Sequence, residues 1–275
     1  MTSWERRINI KSLPEIEIMV VAGQINAEAL AAAYAVIRPG TTTADINAAA
    51  EEILVKHGVI SPFKNYPGPY PYPASCCVSV NQELVHGIPG KRKLKEGDIV
   101  SVDCGTVYEG YVGDSAFTAA VGEISADARK LLEVTEQSLY AGIAKMVVGN
   151  RIGDISTAIQ SVAEKNGFFV VREYTGHGVG KQMHEGPQVP NYGTPGNGMI
   201  LKEGMTIALE PMVLVGTPYT RVMPDQWTVV SANGSLTAHF EHTIAVTKNG
   251  PWILTLLPDC TSPGKITGQY KEESV

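Results

Sequence analysis

Cysteine is scarce in this chain, and what there is forms no framework. Cys76, Cys77, Cys104 and Cys260 include two neighbours and no C-x-x-C spacing. That argues against disulfide stapling and reactive-cysteine catalysis, and fits a reducing cytosol. A basic surplus is also missing. The net charge is −6 and only 18% of residues are charged, which disfavours a general nucleic-acid or anionic-membrane surface. There is no nucleophile elbow for a Ser/His/Asp triad and no G-x-G-x-x-G. The glycine-rich run around His177 lacks the Lys-Ser/Thr of a phosphate loop. Met1–Arg7 leads into no apolar signal core. Met19 to Ile37 is long enough to raise a membrane question. It carries Gln24, Asn26 and Glu28, so an amphipathic helix of a soluble protein is the expectation.

What remains is an ordinary core-forming composition, 44% hydrophobic over 275 residues. Ser12-Leu13-Pro14-Glu15 carries a cap residue, an early proline and a capping-box acid. A helix is expected from there to Arg38, before Pro39-Gly40. Thr42 to Asp45 starts a second helix, ending at Gly58. The same pair recurs. Leu139, Gly149, Asp154, Ile155, Ala158, Lys165 and Gly167 lie 109 positions after Leu30, Gly40, Asp45, Ile46, Ala49, Lys56 and Gly58. Leu94-Lys-Glu-Gly likewise returns as Leu201-Lys-Glu-Gly, laying Asp103 on Glu210. A duplicated unit follows, with halves at about 12–123 and 124–257. One domain over 1–258 and a mobile tail at 259–275 are expected.

Between the helices the pattern is β. Ile99 to Tyr108 and Tyr111 to Thr118 read as a hairpin turning at Glu109-Gly110. Residue 108 then pairs with 111 and residue 105 with 114, putting Asp103 and Asp114 diagonally on one face. Further strands are expected near 168–174, 205–215, 226–231 and 236–247.

The chemistry rests on acids. Asp103, Asp114, Glu210 and Glu241 close apolar strands, with Glu241 taken as the second half's counterpart of Asp114. Like charges converging in a low-dielectric site repel, and divalent cations resolve that conflict. His177, in Gly-His-Gly-Val-Gly, has room to approach a metal. His184 and His86 sit in comparable Gly/Pro-flanked settings. His57, His239 and His242 read as structural or exposed. Phe63, Tyr66, Tyr70, Tyr72, Cys76 and Cys77 gather in a proline-stiffened stretch able to form an apolar wall.

These motifs resemble the type I methionine aminopeptidases, short members of the pita-bread metallopeptidases. The likeness runs from about Ile10 to Leu256. It includes Val85-His-Gly-Ile-Pro, Val102-Asp103 with Gly113-Asp114, Gly176-His-Gly-Val-Gly with His184-Glu, Ile207-Ala-Leu-Glu-Pro-Met and Phe240-Glu-His-Thr-Ile. The resemblance implies an α/β (α+β) pita-bread fold: a curved antiparallel sheet, helices outside, and an internal pseudo-two-fold repeat. It implies two divalent metal ions, Co, Mn, Fe or Zn, on Asp103, Asp114, His177, Glu210 and Glu241. The reaction implied is hydrolysis of the N-terminal methionine from new polypeptides with a small second residue, a metal-bridged hydroxide attacking the first peptide carbonyl. Glu210, His86 and His184 would be catalytic. His86, His184, Tyr72, Cys77, Trp227, Met183 and Phe63 would bind the substrate. Met183 stands where such pockets usually have an aromatic, and 65–73 is longer than usual.

The partners implied are a peptide or nascent-chain N-terminus and the ribosome, with no nucleic-acid specificity and no membrane. A cytoplasmic monomer is expected. The alternatives are a proline-directed aminopeptidase or prolidase, which usually carries an additional N-terminal domain, and a metal-free pita-bread binding module. The intact ligand set speaks against the module.

Overall fold

The computed structural model describes residues 8–257. The expected tail at 259–275 and Cys260 lie outside the described residues. Helix α1 spans Leu13–Ala35. Glu15 Oε2 accepts from the Ser12 backbone N–H and hydroxyl, both at 2.8 Å, which closes its N-terminus. The helix stops at Ala35, short of the expected Arg38. Thr41 Oγ1 donates to the Val36 carbonyl at 2.8 Å, and Pro39 disfavours helix at the residue before it. Nor is α1 amphipathic. It is long and apolar enough to cross a membrane by length and composition. Met19, Ala22, Ala27, Ala29 and Ala33 are fully buried, while the apolar Val21 is exposed on the opposite side. It is a core helix lying on the sheet.

Helix α2 (Thr43–Lys56) follows, then β1 (Cys76–Val80), β2 (Glu83–Val85), β3 (Ile99–Tyr108) and β4 (Tyr111–Ala120). The second half repeats the plan with α3 (Ala126–Ile143), α4 (Ile152–Lys165), β5 (Phe169–Val170), β6 (Thr175–Gly178), β7 (Glu185–Pro190) and β8 (Thr206–Leu209). It closes with β9 (Met212–Leu214), β10 (Thr220–Val222), β11 (Val229–Ser231), β12 (Thr237–His239), β13 (His242–Thr247) and β14 (Gly250–Ile253). The sheets are antiparallel, in the orders β1-β3-β4, β10-β11-β2, β12-β9-β5 and β14-β13-β8-β6-β7. The β3–β4 hairpin has the expected register, Tyr108 opposite Tyr111 and Gly105 opposite Asp114. Strands β2, β6, β7, β10 and β14 were not expected, and neither was β1. It is buried throughout, so it shows no alternation to read.

The halves share more than element order. Gly40 N donates to Leu94 O at 2.8 Å and Gly149 N to Leu201 O at 3.1 Å. Gly97 N donates to Val121 O and Gly204 N to Val246 O, at 3.0 and 2.9 Å. All four glycines have φ between 84° and 94°, a region that favours glycine. The main core lies between helices and sheets, where Leu30, Ile46 and Phe117 pack in one half and Leu139, Ile155 and Ile207 in the other. A methyl on Gly113 would stand 2.6 Å from Gly23 N, so α1 and β4 touch backbone to backbone.

Candidate metal centre

Alternation along β3 sorts its side chains. Val102 and Cys104 join the helix-covered core, so Asp103 faces the opposite side, beside Cys77, its partner on β1. Asp114 shares that side on β4. The halves meet at the same place. Ala116 N donates to Glu241 O at 3.2 Å and Glu241 N to Ala116 O at 2.9 Å. Thr243 Oγ1 donates to Asp114 O and accepts from Asp114 N, at 2.8 and 3.0 Å. Thr118 Oγ1 makes the identical pair with His239, at 2.8 and 2.9 Å.

This pattern is the same viewed from either half. It makes Thr118 the mate of Thr243, Ala116 the mate of Glu241, and Asp114 the mate of His239. Strand register agrees, with Asp103 opposite Ala116, Gly105 opposite Asp114 and Met212 opposite His239. The expectation that Glu241 mirrors Asp114 is therefore corrected. The backbone is symmetric here and the donor set is not. The sequence comparison matched acid to acid, whereas backbone hydrogen bonds set the true correspondence.

His177 Nε2 lies 3.8 Å from Asp114 Oδ2 and 3.6 Å from Glu210 Oε1. Donor atoms of Asp114, His177 and Glu241 all fall within 4.8 Å of one another. His177 Nδ1 is 2.9 Å from the Gly178 carbonyl. Donating there, the ring carries its lone pair on Nε2, as a metal ligand requires. Asp103 Oδ1, Asp114 Oδ1 and Glu241 Oε1 are buried without a hydrogen-bond partner among the described residues. Burial pushes all four carboxyls well up; for Asp103, Asp114 and Glu241 the neighbouring carboxylates add to it. Burial, then the neighbouring His184, drops His177 to about 3. Orphaned carboxylate oxygens beside a neutral imidazole fit a divalent cation of the Mn, Fe, Co or Zn type.

The centre floors a cavity of about 190 Å³. Asp103, Asp114, His177, Glu210 and Glu241 all line it. So do His86 and His184, and the wall residues Phe63, Tyr72, Cys77, Met183 and Trp227. Burial, then the Asp103 charge, pushes the Cys77 thiol up, so it stays a neutral wall group. Tyr72 and Trp227 meet edge to face at 5.2 Å. His86 holds φ at 60°, a costly region for a side chain with a Cβ. Asn65 and Gln226, beside the wall residues Tyr66 and Trp227, do the same at 67° and 63°. Burial lowers His86 and His184 to about 4, so both rings are neutral near pH 7.

Two residues carry more than the sequence suggested. Tyr66 Oη lies 2.7 Å from His184 Nδ1. His239, read as structural or exposed, is 1% exposed and faces the acids, 3.5 Å from Glu210 and 3.9 Å from Glu241. Its place two residues before Glu241 was the available signal. Of the other two set aside with it, His57 pairs with Glu28 at the surface and His242 with Thr255 in the interior.

Residues 17–248 match Metallopeptidase family M24. A methionine aminopeptidase of Clostridium acetobutylicum is 52% identical over 250 residues, covering 90% of this chain and 99% of that protein. The crystal structure of a methionine aminopeptidase from Thermotoga maritima, 50% identical, superposes with a TM-score of 0.88 over 90% of this chain and 99% of that one. A Pyrococcus furiosus prolidase shares the fold alone, at 23% identity and TM-score 0.72, and the chain spans 65% of its length. With its pita-bread fold and acid-imidazole centre, this chain belongs to metallopeptidase family M24.

Proposed function

We propose that the chain is a metal-dependent methionyl aminopeptidase. It removes the N-terminal methionine from peptides and nascent chains whose second residue is small. The observation that carries this reading is one cavity with orphaned carboxylates on its floor and an apolar, sulfur- and aromatic-lined wall. The floor offers chemistry to a peptide's amino end. The wall takes an unbranched, polarizable side chain.

Asp103, Asp114, His177, Glu210 and Glu241 would hold two divalent ions. Such a pair lowers the pKa of a water and polarises the scissile carbonyl. Glu210 takes the proton from the attacking water and returns it to the leaving amine. His86 and His184 donate hydrogen bonds to the carbonyl oxygen as charge develops on it. With Tyr66 donating to Nδ1 of His184, the neutral ring carries its proton on Nε2, the form such a donor needs. Phe63, Tyr72, Cys77, Met183 and Trp227 hold the methionine side chain and exclude water. The enzyme acts in the cytoplasm as a monomer, and ribosome-borne chains are its natural source of substrate.

The test is a peptide panel on chelator-stripped protein, with Mn, Fe, Co or Zn added back singly. Met-Ala-Ser should be cleaved with metal and spared by chelator. Hydrolysis of Xaa-Pro peptides with Met-Ala-Ser untouched would replace this reading with a proline-directed one. Tight metal binding without cleavage of either would make it a binding module.

A further inference from the structure

His239 stands behind the floor of the cavity rather than in its lining. It is the pseudo-symmetric mate of Asp114, so the fold sends a side chain from this position toward the same acids. The ring is 1% exposed. Its Nε2 lies 3.5 Å from Glu210 Oε2 and 3.9 Å from Glu241 Oε2. Neither ring nitrogen has a hydrogen-bond partner among the described residues. A buried imidazole without a partner is expensive, and the carboxylates of Glu210 and Glu241 stand beside it, with the Asp103 charge also acting on the ring.

Glu210 is therefore flanked by two imidazoles, one per oxygen. Oε1 faces His177 Nε2 at 3.6 Å and Oε2 faces His239 Nε2 at 3.5 Å. The two rings differ in one decisive respect. A metal-ligating histidine almost always has its second nitrogen held by a carbonyl, carboxylate or water. His177 Nδ1 has the Gly178 carbonyl, 2.9 Å away. His239 Nδ1 has nothing among the described residues. His177 is built as a ligand, and His239 is free to carry its proton on Nε2.

We infer that His239 is a positioning residue whose Nε2–H holds Glu210 Oε2 from behind, leaving Oε1 on the His177 side as the oxygen offered to a cation. The terminal torsion of a glutamate is soft and roughly two-fold. Without a donor on Oε2 the carboxylate can turn and offer both oxygens, or the wrong one. The inference rests on Glu210 being a metal ligand.

The experiment compares four variants of the full chain, each stripped with chelator. Mn²⁺ binding is followed by calorimetry and Co²⁺ binding by its visible absorption bands. His239→Leu should weaken Mn²⁺ binding by about 10–100-fold, the usual effect of losing such a partner, and change the Co²⁺ bands. His239→Gln places an amide N–H near the Nε2 position and should stay within about three-fold of the parent. His239→Asn, which mimics Nδ1 instead, should behave like the leucine variant. Circular dichroism checks folding; if the leucine variant does not fold, the Gln–Asn pair carries the comparison. Parental Mn²⁺ affinity in His239→Leu or His239→Asn overturns the inference. So does a glutamine variant as weak as the asparagine one. Glu210→Gln is the separate control. If it too binds Mn²⁺ like the parent, the assignment of Glu210 as a ligand fails, not merely that of its positioning residue.

Discussion

The two halves of this molecule share a backbone and differ in what hangs on it. In the first half β3 and β4 close at once through Glu109-Gly110, and the hairpin supplies Asp103 and Asp114. In the second half the equivalent hairpin, β8–β9 with β12–β13, is held open by residues 215–236. That insertion carries β10 and β11, and β11 pairs with β2 beside His86. It also delivers Trp227 to the cavity wall. Three mated positions then diverge: Asp103 with Glu210, Asp114 with His239, Ala116 with Glu241. A symmetric scaffold thus makes an asymmetric site. The duplicated strands aim side chains at one spot, and the insertion on one side shapes what can reach it.

The strongest way to break this picture is at the point where the halves cross. Glu241→Ala makes that pair alanine on both sides. It removes one of the carboxylates proposed to hold the ions, and the expected result is loss of bound metal. The kcat/KM on Met-Ala-Ser should fall about 10³-fold or more. Metal analysis of the purified variant beside the peptide assay checks it. Full metal content would mean that Ala116 and Glu241 are equivalent in chemistry as well as in backbone.

The insertion should answer differently. Trp227→Ala leaves every proposed ligand in place but opens the wall where Tyr72 and His86 meet the indole, at 5.2 and 6.3 Å between ring centres. The expected loss is about 10–100-fold in kcat/KM, expressed mainly in KM, with metal content unchanged. A fall in metal content would show that the insertion supports the centre itself, and the division between scaffold and wall would go.

Much of this was legible in the sequence because it rests on local rules. The β3–β4 register followed from a two-residue turn and alternation, and the helix starts from Ser12 and Thr42 with their acids three residues on. The twelve site residues as a set came from the family resemblance rather than from local rules, and all of them line one cavity. What was not legible depends on contacts between distant segments. His239 looks like any histidine until Thr118, 121 positions away, fixes its backbone opposite Asp114. Strand β1 hid because both its faces are covered. The true mate of Glu241 hid because acids were matched to acids, while the repeat is written in main-chain hydrogen bonds.

Glycines sharpen the backbone side of the comparison. Gly40 and Gly149 are mates, at φ 93° and 94°, each with open space where a Cβ would stand. Alanine at either should cost about 1 kcal/mol from conformation alone, and the two costs should agree in urea unfolding. Gly113→Ala has a different origin. Its methyl would meet the Gly23 backbone, and about 1–3 kcal/mol is expected from forced overpacking. Unequal costs at the mated glycines would show that the turns bear different loads in the two halves.

The smallest effect tests whether mated helix starts are held alike. Asp45 Oδ2 accepts from Thr42 N at 2.9 Å, and Asp154 Oδ2 from Arg151 N at 2.8 Å. Hydrogen bonds hold both carboxyls below the usual aspartate value, first from the Thr42 side chain for Asp45 and from the Gly196 backbone for Asp154. A lowered folded-state pKa stabilises fully above the ordinary aspartate range, and the gain is lost as pH falls through the lowered value. Alanine at either position should therefore lower the urea midpoint at pH 7 and converge on the parent in strong acid. The two should not fall equally. In α2 the Thr42 hydroxyl still accepts from the N–H of residue 45, at 3.1 Å in the parent. Arg151 has no side-chain acceptor to offer α4. Asp154→Ala should thus show the larger drop at pH 7 and the steeper convergence. Equal drops would mean that turn geometry, common to both halves, holds these helix starts and the side chains add nothing of their own.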